Sequence, residues 1–176
     1  SVMSDPTGKV LKSDTEELTW NREISGKGYF TVNTSNTKLF TGFPEGRKII
    51  LGDVELLIGD TRLGWATVSL VSQNSNGFGQ LNTTSKVLVS ATGLAENKDM
   101  EIKKVDDTYI TLSKWGEASV YAEGVPVTIT LLSNPDKIKC FALNPEGERK
   151  VEVPINSAKD KSEIILKPDY ETVWYE

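Results

Sequence analysis

The chain contains no histidine and a single cysteine in 176 residues. Without histidine there is no Ser-His-Asp or Cys-His nucleophile activation, no imidazole zinc site and no histidine acid-base catalysis. One cysteine excludes an internal disulfide and a cysteine metal cluster, and it leaves the redox compartment unspecified. Cys140 is in phase with Ile138 and Ala142, so it reads as a buried apolar residue rather than a nucleophile. No apolar run approaches the ~20 residues of a membrane-spanning helix, and Ser1-Val2-Met3-Ser4-Asp5-Pro6 has no signal-peptide core. A start at Ser1 reads as that of a processed or excised fragment. The net charge is −5 and the Lys and Arg residues are scattered, which gives no basic footprint for nucleic acid and opposes anionic lipid. Neither nucleic acid nor a membrane is an expected partner.

Apolar residues nowhere recur at 3.6-residue spacing for three turns; period-two alternation is present instead. It is clearest from Val125 to Glu176, where Val125, Val127, Ile129 and Leu131 alternate with neutral or polar neighbours. Asn134-Pro135-Asp136 and Asn144-Pro145-Glu146-Gly147 punctuate the pattern, which reads as an antiparallel meander. Upstream, Leu18 and Trp20 share one strand face, and Phe30 and Val32 share another. Ile49 to Ile58 is apolar with a bulge or tight bend at Gly52-Asp53, and Gly93 to Met100 is mixed enough to hold a short helical turn. About a dozen short strands, with turn signals every eight to twelve residues, predict an all-β chain. The expected architecture is a single-domain antiparallel β-sandwich, jelly-roll or immunoglobulin-like, over residues 13–176, with residues 1–12 as a linker or first loop.

Carboxylates are the remaining catalytic currency, since glycoside hydrolysis needs only two. Glu16-Glu17, Asp106-Asp107 and Asp160 lie in polar stretches without the apolar neighbours that raise a carboxyl pKa, so they read as solvated loops and no catalytic residue is assigned. Gly26-x-Gly28 and Gly77-x-Gly79 lack the strand-loop-helix setting of a phosphate cradle and read as turns. No cofactor is expected. Gly52-Asp53 and Glu96-Asn97-Lys98-Asp99 offer oxygens for a structural calcium ion but lack a recognisable loop spacing.

Aromatic residues point to sugar, whose C–H faces stack on indole or phenol while amides and carboxylates meet the hydroxyls. Trp65 is phased with Thr67 and Ser69, opposite Ala66, Val68 and Leu70. The following polar loop supplies Gln73, Asn74, Asn76, Phe78 and Gln80. Together with Trp115 these form the candidate carbohydrate site; the alternative places Trp65 in the core beside a merely polar loop. Trp20 and Trp174, within strands, are expected to pack. Tyr29 and Tyr109 are expected to face outward.

Several segments in order carry a resemblance: residues 13–20 (SDTEELTW), 30–34 (FTVNT), Ala95-Glu96-Asn97 before Met100, Trp115-Gly116, and residues 172–176 (TVWYE). They resemble the all-β accessory region that follows the (β/α)₈ catalytic barrel in certain secreted bacterial glycoside hydrolases. The resemblance spans about Ser13 to Glu176 and implies a non-catalytic, carbohydrate-binding-module-like sandwich, extracellular or cell-surface associated. Its implied partners are a polysaccharide or oligosaccharide and the catalytic domain of the same parent polypeptide. An alternative role is purely structural, packing against the barrel without touching sugar. An autonomous glycosidase or lyase would need carboxylates, or a base with arginine, gathered in a groove.

Overall fold

A computed structural model describes residues 9–22, 26–73, 77–78, 85–106, 109–132, 138–158 and 161–176. The chain is all-β, with two antiparallel sheets packed face to face. The large sheet runs, in spatial order, β1 (Val10–Lys12), β2 (Leu18–Asn21), β3 (Tyr29–Asn33), β4 (Thr37–Gly42), β7 (Ala66–Ser72), β8 (Val87–Lys98), β17 (Trp174–Tyr175), β13 (Cys140–Leu143) and β14 (Arg149–Val153). β11 (Glu117–Gly124) pairs with the far half of β8. The small sheet is β15 (Ile155–Ala158), β16 (Lys161–Leu166), β12 (Val127–Leu131), β6 (Val54–Ile58) and β5 (Lys48–Leu51). β9 (Glu101–Lys104) and β10 (Ile110–Lys114) form a separate hairpin. A 3-10 turn, Pro168–Tyr170, precedes the last strand.

Alternation sets the layers. Phe40, Val68, Leu70, Val89, Ala91, Ala142 and Tyr175 project inward from the large sheet and meet Val54, Leu56, Ile58, Val127, Ile129, Ile164 and Leu166 from the small one. Each Val, Leu, Ile or Phe side chain among them contributes about 1.5–3 kcal/mol on full burial, so this slab dominates stability. Cys140 lies within it, as its phase predicts.

The closing third is not a meander. Each run from Val125 onward is a strand, but β12 joins the small sheet, β13 and β14 the large, β15 and β16 the small, and β17 the large again. Proline marks the changes of sheet: Pro44, Pro126, Pro154 and Pro168 each lie in a connection that carries the chain from one sheet to the other. A residue without an N–H cannot continue a ladder, so these positions end one pairing and release the chain to the opposite layer. Further corrections are local. Of the bulge or tight bend expected at Gly52-Asp53 the chain makes the tight bend, a two-residue turn that splits the run into a β5–β6 hairpin, since Leu51 pairs with Val54. Gly93 to Lys98 continues β8 because β11 supplies a partner, leaving no helical turn. Residues 10–12 form β1 against β2 rather than a loop, while residues 1–8 lie outside the described set.

Candidate functional site

The small sheet covers only one side of the large sheet. The register identifies what stands on the other. Leu18, Val32, Leu39, Ser69, Ser90 and Trp174 form one row across six strands; Trp20, Phe30, Thr41, Thr67 and Thr92 form the next. Their chain neighbours Thr31, Phe40, Val68, Ala91 and Tyr175 are buried between the sheets, so both rows point outward. Thr37, Val71 and Leu88 extend the same face.

Two indoles stand at its ends, Trp20 at 50% exposure and Trp174 at 45%. Between them the floor is mixed, half-buried Phe30, Val32 and Leu39 standing beside Ser and Thr hydroxyls. Thr41 and Thr67 meet Oγ1 to Oγ1 at 2.8 Å, and Ser69 and Ser90 meet Oγ to Oγ at 2.9 Å, each pair bridging neighbouring strands. None of these outward positions carries a charged side chain. Charge begins at the rim. The Arg22 guanidinium lies 5.7 Å from the Trp20 ring centre. Beyond Trp174, Glu176 is held by Arg149 at 2.6 Å and Lys86 at 3.8 Å. The Arg149 hydrogen bond holds the Glu176 carboxyl below its ordinary pKa, against a smaller opposing effect of burial.

The sequence-predicted site is only partly assembled. Trp65 immediately precedes β7 and is half-buried, its carbonyl accepting from Thr61 Oγ1 at 2.9 Å; Gln73 immediately follows β7 and is exposed. The alternation of β7 places both with Thr67 and Ser69, at opposite ends of one strand. Phe78 is 5% exposed and belongs to the core cluster, with the Lys38 ammonium 5.7 Å from its ring, so it offers no surface platform. Asn74, Asn76 and Gln80 lie outside the described residues. Trp115 is 77% exposed but stands between β10 and β11, where Asn97 Nδ2 donates to its carbonyl at 3.0 Å.

Trp20 and Trp174 are the residues that sequence reasoning missed, since both were expected to pack. The overlooked signal is Tyr175: two adjacent aromatics on one strand face opposite ways. Tyr29 also departs from expectation, packing against the core with its ring 5.6 Å from Phe40, whereas Tyr109 is exposed.

Carboxylates serve as anchors elsewhere. Glu123 accepts from the backbone N–H of Arg62 at 2.7 Å and of Leu94 at 3.0 Å, and Arg62 also pairs with Glu96. Glu55 lies between Lys48 at 3.2 Å and Lys161 at 3.6 Å. The Lys48 hydrogen bond is the main reason its carboxyl pKa falls below the ordinary value. Among the described residues, no group of three or more Cys, Asp or Glu could hold a metal ion.

A second uncovered surface is the arm beyond the sandwich. Val105, Tyr109, Ile110, Trp115, Val120 and Tyr121 are all exposed on β9, β10, β11 and their connections. A lone two-stranded hairpin is marginal in water.

Comparison with protein-family models, curated proteins and solved structures finds no match to this chain.

Proposed function

We propose that the chain is a non-catalytic carbohydrate-binding module of a polysaccharide-degrading glycoside hydrolase, extracellular or cell-surface associated. The observation that carries the reading is the outward face of the large sheet, where half-exposed Trp20 and Trp174 flank the apolar Phe30, Val32 and Leu39 and the hydroxyls of Thr41, Thr67, Ser69 and Ser90. Indoles supply flat apolar platforms, and hydroxyls both donate and accept hydrogen bonds, which together meet the two demands of a sugar ring. Tethered to a catalytic domain, even a weak site of this kind raises the local concentration of enzyme on its substrate. The module is tested by isothermal titration and affinity electrophoresis against soluble polysaccharides and by pull-down on insoluble ones. Binding supports the reading, and absence of binding across the panel refutes it.

The arm favours a second reading, a structural domain packed against the barrel. Its exposed apolar side chains are what a separated interface leaves behind. On that reading, deleting the module lowers the melting temperature of the parent enzyme and reduces activity on soluble and insoluble substrates equally. A sugar-targeting role reduces activity on insoluble substrate selectively.

A further inference from the structure

The two sheets of this sandwich meet the same solvent with different chemistry. The outward side of the small sheet carries Lys48, Glu55, Lys161 and Glu163, with Glu55 paired to both lysines. The outward positions of the large sheet from Trp20 to Trp174 carry no charged side chain among the described residues. We infer that the ligand of this face is an uncharged, extended glycan lying across the strands from Trp20 to Trp174, an inference that rests on the carbohydrate-binding reading.

The absence of charge selects the sugar. An acidic glycan would bring carboxylates onto a floor of Thr, Ser and apolar side chains where none of the outward positions named above is cationic, and a desolvated, unpaired carboxylate is costly. A neutral glycan meets that floor with hydroxyls alone. Geometry selects the direction. Trp20 and Trp174 are separated by five inter-strand steps, about 24 Å across the sheet at the usual strand spacing. The Thr41–Thr67 and Ser69–Ser90 pairs lie between them, each aligned across the strands. Thr41, Thr67, Ser69 and Ser90 are short, so β7 and β8 present a low floor beside the apolar Phe30, Val32 and Leu39, while the indoles stand at either end. Several sugar rings fit that span; a disaccharide does not reach both indoles.

The test titrates the full chain with hydroxyethyl cellulose, arabinoxylan and galactomannan as neutral probes, and with polygalacturonate and alginate as anionic ones. At least one neutral polymer binds and the polyuronates do not. The hexasaccharide of the preferred polymer binds about tenfold or more tighter than its disaccharide, equivalent to losing one hot-spot contact. Trp20→Ala and Trp174→Ala each weaken binding by a similar factor. Thr67→Lys, which leaves both indoles in place, weakens it as well, while Ile50→Ser on the opposite sheet has no effect. Circular dichroism verifies that each variant is folded. Polyuronate binding as tight as neutral binding overturns the inference and leaves the carbohydrate reading standing. So does neutral binding that survives both tryptophan substitutions. Failure of every glycan to bind overturns both.

Discussion

Trp174 and Tyr175 are adjacent on β17, yet their substitution separates the two sides of the large sheet. Tyr175 is 2% exposed; its ring meets Tyr170 edge-on, centroids 6.2 Å apart and planes at 85°. Burial pushes its phenol pKa up to about 12, and the hydroxyl donates only a long bond, 3.4 Å, to the Thr172 carbonyl. Tyr175→Ala therefore removes a core aromatic and costs about 3–5 kcal/mol. Tyr175→Phe gives up only that long bond, worth about 0.5–1 kcal/mol. Trp174 buries roughly half its surface, so Trp174→Ala costs about 1–1.5 kcal/mol, half the value for a fully buried large side chain. For a chain of this length each kcal/mol shifts the melting temperature by ~2–4 °C, giving ~6–20 °C for Tyr175→Ala and ~2–6 °C for Trp174→Ala. Thermal melts with urea titrations as a check on two-state behaviour read these differences directly. Equal losses from the two alanine variants would refute the assignment of an inward tyrosine and an outward tryptophan, and the proposed sugar face with it.

Burial raises the Cys140 thiol to about 12, so at pH 8 a disulfide reagent reacts slowly with native protein and rapidly in denaturing urea, where the thiol titrates near 8.5; rapid native labelling contradicts its place in the core. The Glu176 carboxyl is held low by Arg149, so its contribution is present above the unfolded carboxylate pKa and disappears as pH falls through the folded value. Urea midpoints of wild type and Glu176→Gln should differ at pH 7 by at most about 1 kcal/mol, and the gap should close toward pH 3; a constant gap counts against the ion pair. Gly42 has φ +135°, and a Cβ there would sit 2.5 Å from the Gly28 carbonyl oxygen and Tyr29 Cα. Gly46, at φ +70°, has nothing within 4 Å. Gly46→Ala should cost about 1–2 kcal/mol of backbone strain and Gly42→Ala clearly more, because β3 must move; equal melting temperatures would contradict this packing.

Much of the architecture is legible in the chain. Period-two alternation marks Ala66 to Val71, Val125 to Leu131 and the closing strands, and it gives the class, because burial of alternate residues is a local property. Which strands are neighbours is not local. Pro126 and Pro154 look like ordinary turn residues in sequence, and only the paired sheets reveal that they pass the chain between layers. The same limit explains the site. Alternation divides Leu18-Thr19-Trp20-Asn21 into two faces without saying which one a second sheet covers. Trp65 is phased correctly with Thr67 and Ser69. Phe78, flanked by glycines in a polar stretch, carries no local sign that its ring enters the core.

The composition of the large sheet's outer face is costly for a protein that has charge to spare. The chain carries 45 Lys, Arg, Asp and Glu residues, and the small sheet, the loops and the arm all receive some. Ordinary solvent exposure would distribute charge over the stretch from Trp20 to Trp174 too, since an uncharged face with half-exposed indoles and leucines invites association. Yet, among the described residues, the face is neither covered by another layer nor uniformly apolar, as a simple buried interface would be. Hydroxyls mixed with apolar side chains between indoles suit a flat, polar and neutral surface that presents both C–H faces and hydroxyls. That is the demand of the neutral polysaccharide proposed above, and the hydroxyls of Thr41, Thr67, Ser69 and Ser90 distinguish this face from a wholly apolar protein-docking surface.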